Sequence, residues 1–142
     1  MAKLAVADVD AVLFQTTLRV QVGDVNYGGH LANDAVLRLC HEVRMRWLAG
    51  LGWSETDAGG AGLIMADAAV QYLAQGFYGD ELSAEMGIED IGKGGFALLF
   101  RLTRIADGKV LTRARTGMVC FDYVHQKVCR LPEALKTVLE VV

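Results

Sequence analysis

Between Asp24 and Asp34 the chain gathers most of what it has for chemistry. The run Asp24-Val25-Asn26-Tyr27-Gly28-Gly29-His30-Leu31-Ala32-Asn33 leads directly into Asp34. It combines carboxylates, amides, an imidazole and paired glycines. The glycines permit backbone geometry that other residues resist. A glycine-rich loop feeding a helix N-terminus offers N–H donors and a favourable dipole to a negative charge. An imidazole and a carboxylate nearby can move protons. Such a set suits attack of water on an activated carbonyl, with the oxyanion met by pre-aimed donors. Each residue also has a plainer account. Asp34 is a good N-cap, His30 can hold the loop by hydrogen bonds, and Asn26 can shape an Asx turn.

The elements that must position this loop follow from periodicity. Thr17 to Val22 alternates, with Leu18, Val20 and Val22 on one face, which predicts a strand. From Asp34 to Leu48, Val36, Cys40, Val43 and Trp47 recur at spacings of four, three and four, one helical face that Leu37, Met45 and Leu48 widen. Asn33 or Asp34 would cap this helix, and Gly50 or Gly52 would stop it. A helix so apolar needs cover on more than one side. Strands are expected at Leu63 to Leu73, Glu81 to Ile91, Phe96 to Ile105 and Val110 to Tyr123. Asp107-Gly108 is a strong hairpin signal. Leu131-Pro132-Glu133 opens a short last helix, with Pro132 suited to its first turn. Strand, long helix, then four antiparallel strands is an α+β order.

With 142 residues and 53% hydrophobic content, the chain reads as one domain spanning 1–142 that buries a real core and keeps apolar surface for a partner subunit. A net charge of -3 without a basic patch argues against nucleic acid. Asp8 and Asp10 interrupt the start before an export signal can form, and no stretch approaches a membrane span. The expected location is the cytoplasm. Cys40, Cys120 and Cys129 lack CxxC spacing, so they read as buried or incidental thiols rather than a metal or redox site.

The loop together with His41-Glu42-Val43-Arg44 on the helix resembles the signature of hotdog-fold acyl-coenzyme A thioesterases of the 4-hydroxybenzoyl-coenzyme A thioesterase type: Asp-x-Asp-x-x-Gly-His-x-x-Asn, then Glu-x-Ala-Arg. Val70-Gln71-Tyr72, Gly79-Asp80-Glu81-Leu82, Thr116 to Asp122 and Leu131-Pro132 resemble later parts of the same family, in order. The resemblance implies a curved antiparallel sheet wrapped around one long central helix. It implies subunits paired edge to edge, as a dimer or tetramer, with active sites at the interface. It also implies hydrolysis of acyl-coenzyme A or acyl-carrier-protein thioesters, with no metal and no cofactor. The chain departs from the pattern at Asn26, where the related enzymes often carry the catalytic carboxylate. An amide is neither a general base nor a carboxylate nucleophile.

On this reading Asp34 supplies the missing carboxylate, assisted by His30, while Asn26 and the backbone of Gly28, Gly29 and His30 hold the carbonyl. Tyr27 and Asn33 flank the substrate. Glu42 stands where another hotdog branch keeps a catalytic acid, yet lies four residues from both Arg38 and Arg46 and so also reads as an ion-paired face. Asp67, in an apolar strand, could be presented to the site by a partner chain or simply face outward. Gly92-Lys93-Gly94-Gly95 lacks the context of a phosphate loop and reads as a hairpin turn. Arg101, Arg104, Lys109, Arg113 and Arg115 could meet coenzyme A phosphates or form a solvated sheet face. Tyr27, Trp47 and Phe77 could line an acyl pocket or belong to the core. Two other functions remain: a non-catalytic acyl-thioester binding module, which Asn26 favours, and a hotdog dehydratase or hydratase.

Overall fold

β5 (Val110–Asp122) lies inside the sheet, and its alternation shows why. Thr112, Ala114, Thr116, Met118 and Cys120 are buried on one side, while Arg113 and Arg115 stand on the other. β4 (Gly95–Arg104) pairs along one flank, with Phe100 opposite Ala114. β2 (Gly62–Tyr72) pairs along the other, with Ala68 opposite Thr116. β3 (Glu81–Glu89) and β1 (Phe14–Arg19) complete an antiparallel sheet of order β1-β3-β4-β5-β2, and the short β6 (Lys127–Val128) pairs with β5. The computed structural model describes residues 4–141.

Helix α1 (Ala35–Gly50) covers the inner face of the sheet. Val36, Cys40, Val43 and Trp47 are buried, as their spacing predicts, against Met86, Leu98, Phe100, Leu102 and Ala114 in one core. Each such large apolar side chain contributes roughly 1.5–3 kcal/mol by leaving water. α2 (Glu133–Leu139) follows Pro132 and closes one end with Leu135 and Leu139. This is the α+β hotdog arrangement: one long helix held by a curved antiparallel sheet. No helix of the described residues is long and apolar enough to cross a membrane.

The boundaries differ in instructive places. β1 begins at Phe14, where Phe14 pairs with Met86, and ends at Arg19. Leu18 and Val20 are buried as expected, but Val22 is 77% exposed. Beyond Val20 the chain turns into a 3-10 turn, Val22–Asp24, where the Gln21 N–H donates to the Asp24 carboxylate at 2.9 Å. That local bond wins over the alternating pattern. Met45 does not widen the buried helix face and is 43% exposed. Asp34 stands at the N-cap of α1, but its side chain caps no amide. Gly52, at φ +77°, makes the left-handed turn after the helix.

The outer face carries a feature absent from the sequence reading. Residues 4–13 cross it as a strap. Val6 and Val9 are buried, and beneath them so are the outward-facing Ala97 and Leu99 of β4. Gly87 makes room: a Cβ there would lie 3.0 Å from both Val9 Cγ1 and the Ala11 carbonyl. Asp8 receives Arg101 Nη1 at 2.9 Å and Arg113 Nη2 at 3.4 Å. Arg101 also holds Glu85, Arg104 holds Asp80 and Asp107, and Arg115 holds Glu89 and Asp90. These arginines are engaged within the chain.

Candidate active site

Asn26 organises the loop. Its Oδ1 accepts the amide hydrogens of Gly28 at 3.0 Å and His30 at 3.2 Å. Its own backbone N–H donates to the His30 carbonyl, and its carbonyl accepts from Gly29, which sits at φ +81°. Leu31 N donates to the Gly76 carbonyl at 2.7 Å, anchoring the loop to the β2–β3 connection. The amides of Gly28, Gly29 and His30 are therefore all committed inside the loop. They are not free to form the oxyanion-binding set expected of them, because Asn26 already uses them. Its Nδ2 group, by contrast, donates to nothing among the described residues.

This loop forms one wall of a cavity of about 350 Å³ lined by Asn26, His30, Asn33, Val36, Tyr72 and Leu111, among others. The structure thus brings together Asn26, His30 and Asn33. Asn33 precedes α1, whose start has no side-chain cap. Among the described residues the amides of Asn33 and Asp34 meet no acceptor. Open amides at the start of a helix are where a partial negative charge is stabilised. The His30 ring packs edge-on against Phe77, with centroids 5.2 Å apart, and among the described residues pairs with no carboxylate.

The other expected residues lie elsewhere. The Asp34 side chain is 81% exposed and points to Arg38, 3.5 Å away, outside the cavity lining. The Tyr27 side chain is fully exposed. Glu42 receives Arg46 Nε at 2.7 Å on the flank of α1 that faces β1, where Arg46 also reaches Thr16 and the Thr17 carbonyl. Asp67 follows a β-bulge in β2 and lies over Gly117 on the outer face, 3.7 Å from Arg115. Trp47 is core, and Phe77 is a half-exposed neighbour of His30.

Two groups escaped the sequence reading. Tyr72 donates its hydroxyl hydrogen to the Asn33 carbonyl at 2.9 Å, so the end of β2 grips the start of α1. Arg44, with 8% of its side chain exposed, donates to Glu55 Oε1 at 2.5 Å, and the same oxygen lies 3.2 Å from His41 Nε2. The four-residue spacing of Glu42 to Arg38 and Arg46 gave no hint of this, since Glu55 belongs to the α1–β2 connection. Burial pushes the Cys40 thiol up to about 12 and the Cys120 thiol to about 11, against the nucleophilic use of either.

The cavity thus lies at the uncapped start of α1, near the end of β2, within a hotdog sheet. The thioesterase-like superfamily matches residues 20–139, and the chain belongs to that family. It is 26% identical over 132 residues to a 1,4-dihydroxy-2-naphthoyl-CoA hydrolase of Synechococcus elongatus, covering 90% of this chain and 94% of the relative. A 1,4-dihydroxy-2-naphthoyl-CoA thioesterase from Synechocystis superposes with a TM-score of 0.81 at 23% identity, covering 91% of this chain and 96% of that one. A Staphylococcus aureus protein solved in complex with CoA superposes with a TM-score of 0.80 at 18% identity, covering 95% of this chain and 85% of that one.

Proposed function

We propose that the protein hydrolyses acyl-coenzyme A thioesters in the cavity between the 26–33 loop and the end of β2. The observation that carries this reading is the pairing of a free Asn26 side-chain amide with the open backbone amide of Asn33, just before α1, both at one cavity. A thioester carbonyl placed there has donors ready for its developing oxyanion. His30 and Tyr72 form the walls that orient it. The related proteins named above act on or hold CoA compounds, which supports coenzyme A over a carrier protein as the thiol.

The working unit in this reading is a homodimer joined along β2. That strand pairs on one side only, and Met65, Ala66, Asp67 and Ala68 are exposed. The other edge strand, β1, has its Thr17 carbonyl covered by Arg46. An unpaired strand of this length is a ready template for its own copy.

The test is thiol release from a panel of acyl-coenzyme A esters, aryl and aliphatic, with wild type, Asn26→Ala and Asp34→Asn side by side. Wild-type turnover lost in Asn26→Ala and kept in Asp34→Asn is the expected pattern. Loss in Asp34→Asn would instead make that exposed carboxylate the base. A second reading rests on the cavity having no carboxylate among its lining residues: binding of acyl-coenzyme A without turnover. Saturable binding with thiol release no faster than in buffer would establish it.

A further inference from the structure

The cavity of one chain offers donors but no oriented proton acceptor. The flank of α1 that faces β2 carries one. His41 is half-exposed there, its Nε2 3.2 Å from Glu55 Oε1, and Glu55 is fixed in turn by the buried Arg44 and by the Leu63 amide on its backbone carbonyl. A carboxylate 3.2 Å from Nε2 favours the proton on that nitrogen, which leaves Nδ1 the one to act as a base. An imidazole beside an acid that is itself fixed is an arrangement suited to general-base catalysis.

The other candidates are worse placed. His30 leans on Phe77 without an acid. His125 pairs with Asp122 at 2.7 Å, but on the turn beyond the far end of β5. Glu42 faces β1, and Asp67 lies on the outer face. Within one chain, His41 is itself too distant. Asn33, Leu37 and His41 form a stripe at spacings of four, and eight helical residues span about 12 Å, whereas a base must come within about 3 Å of the proton it takes.

Pairing along β2 removes that gap. α1 runs antiparallel to β2, since Asn33 meets Tyr72 and Glu55 meets Leu63. A two-fold axis that sets β2 against its copy therefore sets the two α1 helices antiparallel on the same side of the sheet, with their β2-facing flanks together. Where Leu37 meets its own copy, the Asn33 end of one stripe faces the His41 end of the other. Resting on the hydrolytic reading and on this pairing, we infer that His41 of the partner subunit, oriented by Glu55, is the base of each active site. Water adds to the carbonyl carbon as its proton passes to Nδ1. The tetrahedral adduct collapses, the C–S bond breaks, and the imidazolium returns the proton to the departing thiolate. Acid and thiol leave, and the base is regenerated.

His41→Ala removes a half-exposed side chain and should fold. Its kcat on the best wild-type ester should fall about 10²- to 10⁴-fold, with KM changed less than about threefold, and added imidazole should restore part of the rate. A coexpressed mixture of His41→Ala and Asn26→Ala chains should regain turnover that neither shows alone, because a mixed dimer rebuilds one complete site. Unchanged kcat in His41→Ala, a loss that imidazole does not rescue, or a mixture as inactive as its parents would each overturn the assignment while leaving hydrolysis itself standing. A wild type that hydrolyses no ester would remove the hydrolytic reading and this role with it.

Discussion

The Tyr72 hydroxyl donates to the Asn33 carbonyl at 2.9 Å, and this one bond ties an open strand edge to the start of the central helix. Whatever pairs with β2 therefore acts on the position of the cavity's helix amides. Tyr72→Phe keeps the ring and removes the bond, worth about 0.5–1.5 kcal/mol. KM for the best ester should rise severalfold with kcat nearly unchanged. Steady-state kinetics on the two proteins decide it, and an equal loss in kcat would show that the hydroxyl also serves the transition state.

Asn26 holds two loop amides through one oxygen. Asn26→Asp preserves that acceptor but replaces the Nδ2 donor with a charged oxygen, so the loop should stay folded and keep its Tm while kcat falls at least tenfold. Asn26→Ala removes both of these exposed hydrogen bonds, each worth about 0.5–1.5 kcal/mol, and should lower Tm and lose at least tenfold in kcat/KM. Melting temperature and turnover on one ester, measured for both variants, separate the loop-shaping oxygen from the carbonyl-binding nitrogen: full turnover in Asn26→Asp would remove the nitrogen from the site.

Much of this was legible in the chain. The apolar spacing of Val36, Cys40, Val43 and Trp47 placed α1, and the loop composition marked the cavity wall, because local pattern and tertiary packing agree there. Three things were not legible. Asp34 has the type and position of a catalytic cap, but its helix start is left open and its carboxylate turns to Arg38. Glu42 and His41 are adjacent in sequence and point to opposite strands. Glu55 joins Arg44 only through the fold of a connection that periodicity does not describe.

Gly95 tests how tightly the sheet is built. A Cβ on it would collide with the Met118 carbonyl, which belongs to the neighbouring backbone and has nowhere to move. Gly95→Ala should destabilise the protein by about 1–3 kcal/mol. Gly117→Ala should cost less, since the colliding atoms belong to the exposed Asp67 side chain and can rotate away. Denaturant melts of the two variants give the order directly.

Acid should loosen the β4–β5 hairpin. The Arg104 guanidinium, and then the Lys109 amide, hold the Asp107 carboxyl below its ordinary value. A carboxyl depressed in the folded state adds stability above its unfolded pKa and loses it as pH falls through the folded one. Asp107→Asn should therefore lower Tm at neutral pH, with the gap from wild type closing below about pH 3–4. A gap that stays constant down to pH 2 would assign the loss to something other than the carboxylate's charge.

The strap of residues 4–13 has a consequence for exchange with solvent. The Leu13 amide is bonded to the Met86 carbonyl, and Val9 sits over Gly87, so the strap is fastened hardest where it joins β1 and β3. Toward Val6, which is itself buried, its hydrogen bonding among the described residues thins to one 3.4 Å bond to the Gln71 side chain. It should peel from that end, like a zipper fixed at one side. Deuterium would then enter the strap as a gradient, fast near Val6 and slow near Leu13, while Ala97 and Leu99 underneath become reachable only in the rare fully opened form.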